Sequence, residues 1–64
     1  MTMTDDQVAL GAAMMMLRRH GQNAELRVAE RIGELAAAGD LDGVSFWKVI
    51  ATHMDRILRP GKMQ

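Results

Sequence analysis

The residues of this chain that could do chemistry are few: His20, His53, Ser45 and an acidic pair around a glycine, Asp40-Leu41-Asp42-Gly43. A structural zinc site takes four ligands, usually cysteine and histidine. Here there is no cysteine, and no ligand spacing relates the two histidines, so no metal is expected. His20 closes the basic triplet Arg18-Arg19-His20 and suits the negative end of a helix dipole. Asp40, Asp42 and Gly43 resemble the start of a calcium loop, which needs glycine at its sixth position and glutamate at its twelfth. In this chain glycine is fourth and the twelfth residue is Ala51. Calcium is excluded on that spacing, and Asp40 reads as a helix cap. Ser45 is the lone serine and has no G-x-S-x-G elbow. A nucleophile also needs a base and an oxyanion site converging on it, and no glycine-rich phosphate loop is present. The expectation is a protein without catalytic residues, cofactor or small-molecule substrate.

The basic residues offer a different chemistry. Arg18 and Arg19 could hold phosphates, and Lys48, Arg56 and Arg59 fall on the polar side of a third helix that could enter a major groove. Against this, eight basic residues balance eight acidic ones, whereas nucleic-acid binders usually carry a basic excess. Phe46 and Trp47 are the only aromatics, too few for a base-stacking platform. A nucleic-acid-binding regulator using Arg18, Arg19, Lys48, Arg56 and Arg59 is therefore the alternative reading.

The elements that must position these residues are helical. Thr4 and Gln7 stand three apart as a capping box, and Asp5 and Asp6 favour a first turn. The first helix is expected over about 5–20, stopped by Gly21, a residue at ease in left-handed backbone. Asn23 is a candidate cap for a second helix over about 24–38, ending before Gly39. Leu26, Ala29, Ile32 and Ala36, flanked by Val28 and Leu35, give it a stripe of helical period. Arg27, Glu30, Arg31 and Glu34 form the solvated side, where pairs three apart contribute a few tenths of a kcal/mol each. Gly33 marks either a close helix crossing or a tolerated glycine. Asp40 caps a third helix over about 41–58. Its apolar face is Val44, Trp47, Ala51, Met54 and Leu58 with Ile50, widened by Phe46, Val49 and Ile57. Asp55 and Arg59 pair four apart. Pro60-Gly61 ends the helix, leaving residues 60–64 as a frayed tail. Short connections predict antiparallel packing of sequential helices. The fold class is all-α, a three-helix bundle in one domain spanning 1–64.

The first helix carries the case for association. Val8 to Leu17 reads V-A-L-G-A-A-M-M-M-L, without a strongly hydrogen-bonding side chain. At about 100° per residue, Met14, Met15 and Met16 fan over roughly 200°, more than one packing partner covers. Ala9, Gly11, Ala12 and Ala13 would let another helix approach closely, and methionine is over-used on adaptable binding surfaces. The run is far short of the roughly 20 apolar residues of a membrane span. A chain of 64 residues is marginally stable alone, and without disulfides or metals the remaining common staple is oligomerisation. Two readings follow: Met14 or Met16 simply sits exposed on a monomer, as single apolar residues often do, or, the reading favoured here, the helix is covered on two sides, by its own chain and by a second molecule. Leu10, Met14, Met15, Met16 and Leu17 would form that contact. The occupant would be another copy or a larger protein.

Two resemblances accompany this reading. I-G-E-L-A-A-A-G-D-L-D-G-V-S-F-W-K-V-I resembles the middle of a tetratricopeptide-type hairpin, which implies helix-pair geometry. An array would need several repeats of about 34 residues. R-R-H-G, A-E-R-I-G-E-L-A-A-A-G-D and G-V-S-F-W-K-V-I-A are similar to a family of short, uncharacterised alphaproteobacterial helical proteins, over most of the chain. With no assigned activity, that family implies no site residues. The acidic start M-T-M-T-D-D lacks a secretory n-region, so a cytoplasmic bacterial protein is expected.

Overall fold

The computed structural model describes residues 3–61. Among them three α-helices pack together and no strand occurs: α1 is Asp5–His20, α2 is Ala24–Ala37 and α3 is Leu41–Leu58. Local chemistry places the boundaries. Thr4 Oγ1 accepts from the Gln7 backbone N–H at 3.1 Å, and Gln7 Oε1 accepts from the Thr4 backbone N–H at 2.9 Å. That capping box starts α1. At α3 the Asp40 side chain accepts from the Gly43 N–H at 2.9 Å. Gly39, at φ 77°, makes the turn between α2 and α3, a backbone conformation that costs other residues far more.

The junction of α1 and α2 departs from expectation. Asn23 makes no side-chain cap bond. Gly21–Asn23 forms a 3-10 turn instead, and the Ala24 N–H bonds to the Gly21 carbonyl. The tighter turn itself satisfies a backbone donor that a cap would have served. The expected frayed tail lies in part outside the described residues, at 62–64.

Helix α3 is the hub. α1 and α2 each lie along it and touch one another far less than either touches α3. α2 and α3 run in opposite directions: Arg59 reaches Glu25 at one end, and Ile32 and Ala51 line one small cavity farther along. α1 packs mainly on α3 rather than on its sequence neighbour. The two helices cover Phe46, Trp47, Ile50, Ala51 and Met54 of α3, whereas Val49, Ile57 and Leu58 of the expected apolar face stay exposed, because α1 and α2 leave that side of α3 open. Phe46, Ile50 and His53 lie on one arc of its surface and Trp47, Ala51 and Met54 on the next, at about 100° per residue.

The fully buried apolar residues are Ala9, Ala13, Ala24, Val28, Ile50 and Met54, with Ala12, Met16, Leu17, Ile32, Phe46, Trp47 and Ala51 packed around them. Ala9 and Ala13 have no exposed surface, so the small residues of α1 serve close approach to its own α3. On α2 the core side is Ala24, Val28, Ile32 and Leu35. Of the expected stripe only Ile32 packs inward, while Leu26, Ala29 and Ala36 are exposed. No described helix is long and apolar enough to cross a membrane.

Candidate functional site

The apolar run of α1 divides sharply in the fold. Its inward arc is Ala9, Ala13 and the half-buried Ala12, Met16 and Leu17. Its outward arc carries Val8, Leu10, Met14 and Met15, which are 43%, 39%, 48% and 51% exposed. Two residues of the expected contact therefore belong elsewhere: Met16 and Leu17 pack on the chain's own core, because α3 covers a wider arc of α1 than one narrow stripe. Leu10, Met14 and Met15 stay open, and Val8 joins them.

Gly11 sits near the middle of that open arc. Successive helical positions turn by about 100°, which puts Val8 and Met15 on one flank of Gly11 and Leu10 and Met14 on the other. A Cβ added at Gly11 would meet nothing within 4 Å. The surface is thus a shallow notch between two pairs of apolar side chains. The same open space surrounds Gly33, where no helix crosses.

Other polar groups are committed to holding the fold. His53, 8% exposed, lies with Nε2 2.8 Å from Asp6 Oδ1. A carboxylate only accepts, so Nε2 carries the proton. This bond ties the start of α1 to α3. Sequence separation hid it, since His53 and Asp6 are 47 residues apart and neither stands in a recognisable spacing.

Just past the C-terminal end of α3, Arg59 donates to both carboxylate oxygens of Glu25, at 2.9 and 3.1 Å, and to Asp55 at 2.7 Å. The hydrogen bonds from Arg59, with its positive charge, hold the Glu25 carboxyl below its ordinary value of 4.5. Those to Glu25 chiefly raise the Arg59 guanidinium. Leu17, Gly21, Gln22, Glu25, Leu58 and Arg59 line an open cleft of about 610 Å³ here. Its charged groups already face each other, so it offers a ligand little beyond Leu17 and Leu58.

The basic set of the alternative reading is split by this arrangement. Arg59 is spent on Glu25 and Asp55. Arg18 and Arg19 end α1, while Lys48 and Arg56 lie exposed on α3. On α2 the expected pairs form, Arg27 with Glu30 at 3.4 Å and Arg31 with Glu34 at 3.1 Å. No group of three or more histidine, aspartate or glutamate side chains among the described residues is placed to hold a metal ion.

Fold and surface together define a small all-helical protein with an alanine-rich core, whose exposed apolar side chains include Leu26, Leu41, Val49, Ile57 and Leu58 besides the four on the outward arc of α1. The chain belongs to a family of unknown function (DUF6961), whose model matches residues 5–60. No curated protein and no solved structure matches it.

Proposed function

We propose that this protein is a small assembly module whose working surface is the outward face of α1. The observation that supports this is Val8, Leu10, Met14 and Met15, four large apolar side chains exposed together around Gly11. Scattered single apolar residues on a surface need no explanation, but a contiguous apolar patch marks an interaction site. Two flexible methionines let such a surface conform to its occupant.

Peroxide tests this whatever molecule the occupant is. Exposed methionines oxidise to the sulfoxide according to their accessibility. In dilute purified protein Met14 and Met15 are expected to oxidise readily, while Met54, 1% exposed, is spared. In concentrated extract of the native host Met14 and Met15 are expected to be protected. Equal oxidation in both settings would remove the assembly reading. Replacing Val8 and Leu10, on the same face, together with glutamate is expected to abolish the protection of Met14 and Met15 and leave the helical content unchanged. Met16 is unsuitable for such a variant, because a carboxylate there would enter the core.

A further inference from the structure

We infer that Met14 and Met15 form a redox-modification site, at which a hydroperoxide places two sulfoxide oxygens beside the guanidinium groups of Arg18 and Arg19 while the core methionines stay reduced. The inference goes beyond the assembly reading and does not depend on which molecule covers the α1 face. The fold sorts the methionines of its helices. Met14 and Met15 are 48% and 51% exposed, whereas Met54 is 1% exposed and Met16 packs on the core. Thioether oxidation follows access, so three consecutive identical residues become two reactive ones and one sheltered one. Met3, 60% exposed, also reacts, but it precedes α1 and stands at the other end of that helix from the arginines.

Helix geometry supplies the partners. Residues three and four apart are neighbours on a helix surface, with about 5–6 Å between their Cβ atoms. Arg18 is four residues beyond Met14 and three beyond Met15, and Arg19 is four beyond Met15. Both arginines are exposed, and the ion pairs among the described residues are made by Arg27, Arg31, His53 and Arg59 instead. The carboxylates of α1 do not compete for them: Asp5 and Asp6 are in its first turn, and Asp6 is bonded to His53. In the reaction a sulfur lone pair attacks the hydroxyl oxygen of the hydroperoxide. The O–O bond breaks, an S–O bond forms, and the departing oxygen leaves as alcohol or water with that hydroxyl's proton. Sulfur loses two electrons and the peroxide gains them. The product oxygen only accepts hydrogen bonds, and a guanidinium offers five donors and no acceptor. A polar side chain without a partner competes for the backbone groups of its own helix. Donors one turn further on therefore let α1 carry both oxygens without loosening, and the outward face passes from apolar to polar with the fold kept.

Dilute purified full chain treated with hydrogen peroxide tests this, with each methionine followed by tandem mass spectrometry. Met14 and Met15 are expected to gain oxygen more than about tenfold faster than Met54, which reacts only through opening of the fold. Retention on a phenyl column is expected to fall with that modification while the helical circular dichroism stays, and Met14→Leu with Met15→Leu is expected to remove the fall. Methionine sulfoxide reductases for both epimers, supplied with dithiothreitol, are expected to restore retention. The arginines are tested by the drop in thermal midpoint on oxidation. Each protein is then its own reference, and the effect of helix-end charge cancels. Arg18→Ala with Arg19→Ala is expected to lose roughly 2–4 °C more than the parent, the value of two surface pairs in a domain of this size. Equal drops in parent and variant would overturn the part given to the arginines. Oxidation of Met16 or Met54 as fast as Met14, or a loss of helix on oxidation of Met14 and Met15, would overturn the site.

Discussion

The glycines separate what each residue does. Gly33 is exposed on α2 with open space where a Cβ would stand, so Gly33→Ala is expected to stabilise the fold by about 0.5–1 kcal/mol. For a domain of this size that corresponds to a few degrees in thermal midpoint. Gly11→Ala, where an added Cβ also meets open space, is expected to give the same gain, which a thermal denaturation scan checks. Gly43 differs again: a Cβ there would lie 2.6 Å from Asp40 Oδ2. Gly43→Ala therefore sets helix propensity against the cap, each about 1 kcal/mol, and the midpoint is expected to stay nearly unchanged. The caps are legible in the sequence because Thr4 with Gln7 and Asp40 with Gly43 act across three residues. His53 with Asp6 and Arg59 with Glu25 act across 47 and 34 residues, where no local pattern announces them. Asp6→Ala, which removes the carboxylate bonded to His53, is expected to lower the thermal midpoint more than Asp6→Asn.

At the scale of the helix, composition determines what can be read. Boundaries are clear, since Gly21, Gly39 and Pro60 interrupt the pattern. Rotation about the axis is clear only where large residues fix it. In α2, alanine at 24, 29, 36 and 37 fits either side of a helix, so a stripe through Leu26 and Ala29 looks as good in sequence as the true one through Val28 and Ile32. The larger buried side chains prevail because they remove more apolar area from water, at about 25 cal/mol per Å². Leu26→Glu is accordingly expected to leave stability nearly unchanged, and Val28→Glu to unfold the protein, as circular dichroism would report. α1 is legible in a different way. Its apolar run is wider than the chain's own core uses, with Ala9, Ala13, Met16 and Leu17 packed inward and Val8, Leu10, Met14 and Met15 exposed, whereas α3 is the helix covered on two sides within the chain. Ile50, fully buried, lies in that hub, and Ile50→Ala is expected to cost about 2–5 kcal/mol, a large share of what so small a domain has.

At the scale of the molecule, six fully buried apolar residues among the described ones, three of them alanines, make a thin core, and a solvent-exposed ionic clamp links α2 to the end of α3. Glu25 titrates lower in the folded protein than its ordinary 4.5. Its contribution is therefore complete above that value and lost as pH falls through the depressed one. Acid titration of stability is expected to show this loss, and Glu25→Gln to flatten it; an unchanged profile in the variant would assign acid sensitivity to other carboxylates. The hub arrangement also bears on the order in which the chain is made. α1 and α2 leave the ribosome first, and they have little to say to each other. At roughly 5–20 residues per second, the 18 residues of α3 follow over about one to four seconds. During that interval neither earlier helix has its main packing partner, and isolated helices of their length are marginal in water. A chain stopped at Asp40 is expected to be largely unstructured by circular dichroism. Folding of the described helices is thus set by the third of them, and the outward side chains of α1 and the inward ones alike stay open to water until α3 arrives.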